Sequence, residues 1–389
     1  MKVVHIITRL VVGGAQENTL ASLAGLRAKP GLELSLITGP AIGPEGSLEA
    51  RARAVLGGFT LVPELVRPVH PWKDARAYAK LVRLLRAAAP HLVHTHSGKA
   101  GFLGRLAARR AGVPLVVHHI HGPSFGPWQG AAANALFTAA ERIAGRMTDH
   151  FLCSADAMRK LYLAAGIGRP DQYTRLFSGF DLAPFAQAQP SPELRAQLDL
   201  RPDDFVVGKV GRLFHLKGHA DLIAAAPAIL RACPQAKFLL VGDGVLRARL
   251  EEQARAAGVA AAFRFTGLVP PAAVPCYLGL MDCLVHLSYR EALSRVLPQA
   301  LAAGRPVVAY GFDGADEVCL ENETGFLVRT GDVAAVADRV ARLAGDAELR
   351  ARLGRRGREL VHEWFSVERM VETQYELYLR LAAARGLAC

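Results

Sequence analysis

Three stretches carry residues whose types and spacing suit the handling of charge. In 288–304, Glu291 lies between an apolar run ending near Leu287 and a helical pattern beginning near Ser294, and Gln299 follows the carboxylate by eight residues. Backbone N–H groups at such a helix start, around Ser294 and Val296, lack intrahelical partners and sit at the positive end of the dipole, so they can hold a phosphate. The plainer alternative makes Ser294 an N-cap and Glu291 a solvated charge. In 210–219, Arg212 and Lys217 stand five positions apart between Gly211 and Gly218. Arginine offers a planar fork and lysine a point charge, so the pair can converge on a pyrophosphate, and the flanking glycines let backbone approach it. The third stretch pairs Gly13 with Gly14 where the first apolar run turns into a helical pattern. It lacks the GxGxxG spacing of a nicotinamide-dinucleotide loop, and its alternative is a bend that only allows close helix packing.

The elements that must position these loops alternate between short Val/Ile/Leu-rich runs and longer helical patterns, the signature of parallel sheets wound by crossover helices. Strands are expected at 3–8, 32–38, 91–95, 115–120, 150–154 and 174–177, with helices at 15–27, 74–88, 101–111 and 131–147. After a Pro-, Ala- and Gln-rich linker at 183–192 the pattern restarts, with strands at 205–210, 237–241, 263–266, 283–287, 306–309 and 326–328. The chain of 389 residues, 51% hydrophobic and 21% charged, has enough apolar material for two such domains. The fold class is therefore α/β with two Rossmann-like lobes and a cleft between them: an N-terminal lobe at 1–182, a C-terminal lobe at 183–364, and a final segment at 365–389. The amphipathic part of that segment, 367–384, is expected to cross back onto the first lobe.

The formal charge of +12 is unevenly placed, with 22 Lys and Arg against 11 Asp and Glu in residues 1–190 and 25 against 24 in the remainder. A basic first half suits an acidic partner such as anionic lipid, a phosphorylated acceptor or nucleic acid, and solvated helix faces explain it equally well. Lys73, Arg76, Lys80 and Arg83 recur at helical spacing opposite Ala77, Leu81, Leu84 and Leu85, and Phe125 and Trp128 lie in the loop 122–130. Such a surface could rest on a membrane. Met1 leads into Lys2–Thr8 without a signal-peptide pattern, and no apolar run is long enough to span a bilayer, so a cytoplasmic location is expected, with peripheral contact at the inner face of a membrane as one option. Cys153, Cys233, Cys276, Cys283, Cys319 and Cys389 show no metal-ligand spacing and read as reduced small hydrophobes, the last as a free tail thiol.

Taken together and in order, these segments resemble the large retaining glycosyltransferase family often called group 1, or family four, with its GT-B architecture. The resemblance runs over nearly the whole chain. It includes the glycine pair, His94, His96, Lys99 and Gly101 with Gly104 and Arg105, then His121 with Gly122, Ser178 to Asp181, Gly211 and Arg212 with Lys217 and Gly218, Asp243 with Gly244, Gly267, the stretch from Glu291, and Glu323 to Val328. It implies that Glu291, at the first acid of the family's Glu-x7-Glu motif, contacts the donor sugar, and that Arg212 and Lys217 hold the donor diphosphate. Gly13 and Gly14 correspond to the loop that closes over the donor, His121 to the histidine near the transferred sugar, and Ser294 and Val296 fall within the donor-binding segment. Gln299 departs from the motif's second acid. It cannot supply charge but can still hydrogen-bond ribose hydroxyls.

The expected reaction moves a sugar from a nucleotide-diphosphate donor to a hydroxyl of a sugar or lipid-linked acceptor, as in polysaccharide precursor synthesis, with retention of anomeric configuration as the family precedent. Arg212, Lys217 and the helix start would stabilise the departing diphosphate, a task other transferases give to a divalent cation. No Asp-x-Asp occurs in the chain, so metal independence is expected, with no cofactor beyond the sugar nucleotide and no nucleic-acid partner. A sugar-nucleotide epimerase of the same architecture and a non-catalytic sugar-nucleotide-binding relative remain as alternatives. A buried strand-end histidine is more often structural, and His121 rises above that reading only through the resemblance.

Overall fold

Strands that are apolar on both faces can be buried only between helix layers, and here they pair in parallel throughout. The computed structural model describes residues 1–43 and 46–387, so Cys389 lies outside the described residues. The chain divides into two units, Met1–Phe180 together with the segment from Ser366 onward, and Asp181–Phe365. In the first, β1 (Lys2–Ile7), β2 (Glu33–Thr38), β3 (Thr60–Leu61), β4 (Leu92–His96), β5 (Leu115–Ile120), β6 (His150–Cys153) and β7 (Tyr173–Arg175) form one sheet in the order β3-β2-β1-β4-β5-β6-β7. In the second, β8 (Phe205–Val210), β9 (Ala236–Val241), β10 (Phe263–Phe265), β11 (Cys283–His286), β12 (Val307–Tyr310) and β13 (Gly325–Val328) are ordered β10-β9-β8-β11-β12-β13. Each sheet is thus a Rossmann-like α/β unit, and each reverses its strand order once, between β1 and β4 and between β8 and β11. Crevices at the carboxyl ends of strands flanking such a reversal are where α/β sheets bind ligands.

The helix Gly98–Ala111 lies unusually close to the first sheet. Its Gly101 has no room for a side chain, since a Cβ there would come within 2.4 Å of His118 Cε1. Arg105, one turn on, is wholly buried and donates to Glu141 at 2.7 Å and to the Gly101 carbonyl at 2.7 Å. A buried pair of this kind holds only because both partners are present and hydrogen-bonded. The motif residues Gly101, Gly104 and Arg105 are therefore packing elements.

The C-terminal helix Val367–Ala384 belongs to the first unit. Its Met370, Val371, Leu377 and Ala382 are buried with Val3, Leu26, Leu92 and Leu115 in one apolar cluster. The stretch 183–192 is not the bare linker its composition suggests. It contains a helical turn, Ala183–Ala186, with Phe185 buried, and the Gln189 backbone lies so close to Gly279 that a Cβ there would meet the Gln189 carbonyl at 2.6 Å. One apolar ring and one close backbone contact suffice to build the stretch into the second unit. Cys153, Cys233, Cys283 and Cys319 are buried, as small hydrophobes should be, whereas Cys276 is exposed because the short helix Val274–Leu280 turns Pro275, Leu278 and Gly279 inward instead.

Candidate functional site

In the second unit the loops after β8 and β11, the two strands at the reversal, are tied together. Tyr289 N–H donates to the Leu216 carbonyl at 2.9 Å, and Lys217 forms an ion pair with Glu291. The loop 211–218 is also braced against the end of β9, with Leu213 N–H donating to the Asp243 carbonyl at 2.9 Å. Gly218 closes the loop at φ 64°, and a Cβ there would fall 1.9 Å from the Leu287 carbonyl oxygen. Gly218→Ala combines a left-handed backbone with a collision against main chain, so it is expected to destabilise the second unit by about 2–4 kcal/mol. Calorimetry would show this as a lowered Tm, and an unchanged Tm would mean that the loop relaxes freely.

Glu291 is placed from behind by Asp313, whose Oδ2 accepts from the Glu291 N–H at 2.5 Å. Burial raises the Asp313 carboxyl to about 6, the Glu291 N–H opposes that rise, and the nearby Glu291 charge adds to it. Asp221 organises the floor by accepting from Tyr289 at 2.6 Å and from Tyr310 at 2.7 Å. Lys209, buried on β8, is pushed down to about 7 by burial and then by the Lys217 cation. Arg212 is exposed, its guanidinium 5.8 Å from the Phe214 ring, and its carbonyl is 3.0 Å from His219 Nε2. A cavity of about 280 Å³ beside this loop is lined by Phe214, His219, Asp221 and Tyr289 but not by Arg212, Lys217 or Glu291, and it falls below the usual size of a ligand pocket.

The helix after Glu291 starts later than its sequence suggests. It spans Val296–Ala302 with Arg295 at the N-cap position and no side-chain cap. Ser294 precedes the cap and contributes only its carbonyl, which accepts from Leu297 N–H at 3.2 Å. Val296 is buried, so its side chain is core and only its backbone amide can serve a ligand. Gln299 is half-buried.

The remaining expected residues lie in the first unit. Gly13 is the N-cap of the helix Gly14–Leu26, which has no side-chain cap, so the first-turn N–H groups are open to a ligand. His121 follows the end of β5 in a bank of imidazoles on one face of the sheet. His5 of β1 pairs in register with His94 of β4, and His96 of β4 with His119 of β5. His121 Nε2 is 3.0 Å from His96 Nδ1. Burial drives His5 and His121 down to about 3 and holds His94, His96 and His119 well below the usual imidazole range, so all five are neutral. Phe125 is buried against the Tyr162 ring, 4.9 Å between centroids, and is not offered to a membrane. On the helix Pro71–Ala88, Lys73, Arg76 and Arg83 face solvent while Lys80 pairs with Glu64 at 2.6 Å.

Asp313 and Asp221 carry no sequence motif and emerge only from the fold, and Tyr289, though inside the stretch 288–304, gains its role only from the bond to Asp221. The same is true of the register that gathers His5, His94 and His96, although two of the three stand in a recognisable stretch.

Residues 190–360 match the family model described as glycosyl transferases group 1, and residues 13–176 match that of a glycosyl transferase 4-like domain. The chain is 27% identical over 321 residues to the UDP-Gal:alpha-D-GlcNAc-diphosphoundecaprenol alpha-1,3-galactosyltransferase of Escherichia coli, covering 82% of each protein. It is 32% identical over 287 residues to a GDP-mannose-dependent alpha-mannosyltransferase of Mycobacterium tuberculosis, covering 71% of this chain and 70% of that one. The crystal structure of HepE from Anabaena in complex with UDP superposes with a TM-score of 0.82 at 23% identity, over 98% of this chain and 100% of the other. With both halves matched and relatives of this closeness over most of their length, the chain belongs to the group 1 glycosyl transferases and has the GT-B fold.

Proposed function

We propose that this glycosyltransferase takes its sugar from a nucleotide diphosphate held at the carboxyl ends of β8 and β11, and transfers it with retention, without a metal ion, to a hydroxyl of a sugar or lipid-linked acceptor. The observation that carries the reading is the tethering of the Arg212–Lys217 loop to Glu291 across the strand reversal. Cleavage of a glycosyl phosphate bond leaves negative charge on the diphosphate and positive charge on the sugar. Arg212 and Lys217 stabilise the first, with the Val296 amide as a further donor. Glu291, paired with Lys217 and aimed by Asp313, takes the sugar end, while Gln299 addresses the ribose. Within the first unit, Gly13, Gly14 and His121 are the proposed contacts to sugar and acceptor.

The relatives named for UDP-Gal and GDP-mannose, and the UDP-bound neighbour, support a nucleotide-diphosphate donor. The diphosphoundecaprenol in one relative's name supports a lipid-linked acceptor and a place in polysaccharide assembly. Among the described residues no helix is long and apolar enough to cross a membrane. An acceptor of that kind would be met peripherally from the cytoplasmic side, through the solvent-facing Lys73, Arg76 and Arg83. Thermal denaturation with UDP, GDP, ADP and TDP in excess EDTA tests the donor reading. One diphosphate at about 100 times its Kd adds about 2.7 kcal/mol and raises Tm by about 5 °C or more. Stabilisation by none of them, or only after a divalent ion is restored, would overturn it.

A further inference from the structure

Four imidazoles of the first unit and Tyr378 form a file in which His5 and His96 are each bonded through both nitrogens, with His94 and His121 at its ends. Tyr378 Oη lies 2.6 Å from His94 Nδ1 and 3.3 Å from His5 Nε2. His5 Nδ1 lies 3.0 Å from His96 Nε2, and His96 Nδ1 lies 3.0 Å from His121 Nε2. His5, His94, His96 and Tyr378 are fully buried, and His121 is the one partly exposed member. We propose that this file fixes the tautomer of His121, so that it presents a neutral Nδ1–H donor on its open side, with His96, His5 and Tyr378 as positioning residues.

A neutral imidazole carries one N–H, each contact needs one donor and one acceptor, and a Tyr378 hydroxyl accepting from both neighbours would orphan its own O–H in the core, so the protons along the file all point the same way. In one direction Tyr378 donates to His5 Nε2, His5 Nδ1–H donates to His96 Nε2, and His96 Nδ1–H donates to His121 Nε2. The His121 proton is then on Nδ1, and His94 donates its own Nδ1–H to the Tyr378 oxygen. In the other direction Tyr378 donates to His94 Nδ1, and every proton moves to Nε2, leaving His121 Nδ1 as a bare acceptor.

The unpaired end decides between them. Among the described residues His94 Nε2 is buried without a partner. In the first direction it is an unused lone pair, and in the second it is an orphaned N–H in the core. Buried carbonyls and other acceptors tolerate neglect better than buried N–H groups, so the first direction wins. Four histidines, His5, His94, His96 and His121, are therefore all in the Nδ1–H form, opposite to the form imidazole prefers in water. A transition-metal ion bound by either His5, His94 and His96 or His96, His119 and His121, two triads close enough to hold one, would need a His96 nitrogen that the file already uses. Metal binding and the file exclude each other.

The tautomer assignment stands apart from the reading of His121 as a sugar contact, and its test does not use activity. Imidazole ¹⁵N–¹H correlation spectra of the full chain labelled at histidine, near neutral pH, would report which nitrogen of each ring is protonated. The His121 signal is identified by its loss in His121→Gln. The expected result is a protonated Nδ1 on all four rings in the wild-type protein, with His121 alone reverting to Nε2–H in His96→Leu. Nε2–H on the four rings of the wild type, or a mixture of forms among them, overturns the proposal without recourse to any variant. So does stoichiometric binding of Zn²⁺ that His96→Leu abolishes.

Discussion

Acidified to about pH 5.5, the unit built from Met1–Phe180 and the C-terminal helix is expected to unfold, well above the range in which carboxylate protonation alone acts. His5, His94, His96, His118, His119 and His121 are all kept neutral, mainly by burial, with His5 and His121 lowered to about 3 and the rest well below 6.5. In the unfolded chain the same rings titrate near 6.5. Between those values the unfolded state binds protons that the folded state refuses. Stability is therefore complete above 6.5 and drains away as pH falls through that window. Each ring forfeits on the order of 1 kcal/mol by about pH 5.5, and the six act in the same direction on one unit of marginal stability. Hydrogen exchange followed by mass spectrometry should show peptides from β4 and β5 losing protection at about pH 5.5. The second unit, in which His219 and His286 are the buried histidines with lowered pKa, should hold on longer. Equal protection of β4 and β5 at pH 5.5 and 7.5 would mean that water or rearrangement accommodates the charge.

The second large effect is expected at the cationic loop. Arg212→Ala removes a planar donor from the place where negative charge develops on the leaving group, and should lower kcat by about 10²–10³ while KM for the donor changes much less. Lys217→Ala should act in the same direction, with the added loss of the partner that orders Glu291. Because the two cations would serve one diphosphate, their effects should not be additive. Steady-state kinetics at saturating donor measures this, and wild-type kcat in both single variants would remove the loop from the chemistry.

Much of the architecture was legible because both signals that reveal it are local. The strands at 115–120 and 205–210 and the helix at 367–384 follow from apolar periodicity alone, and the structure has them at Leu115–Ile120, Phe205–Val210 and Val367–Ala384. The helix expected from Ser294 starts instead at Val296, since Ser294 looks like a cap by type, yet its side chain makes no capping bond. Asp313 was invisible because its relation to Glu291 spans 22 residues and depends on a non-glycine backbone at φ 53°. The imidazole file was invisible for a similar reason. His5 and His96 are 91 residues apart, and only strand register and the returning helix bring them to Tyr378. Local pattern encodes elements, whereas contacts made across a parallel sheet need the strand order, which no short window contains.

The return of Val367–Ala384 to the first unit has a consequence for biosynthesis. The ribosome makes Met1–Phe180 first, yet the apolar patch of Val3, Leu26, Leu92 and Leu115 has no lid until the last residues emerge. The middle of the polypeptide, Asp181–Phe365, is self-contained and can mature while the beginning still waits. The first-translated half is therefore the last to be finished, and an apolar patch left open over that interval is prone to aggregation.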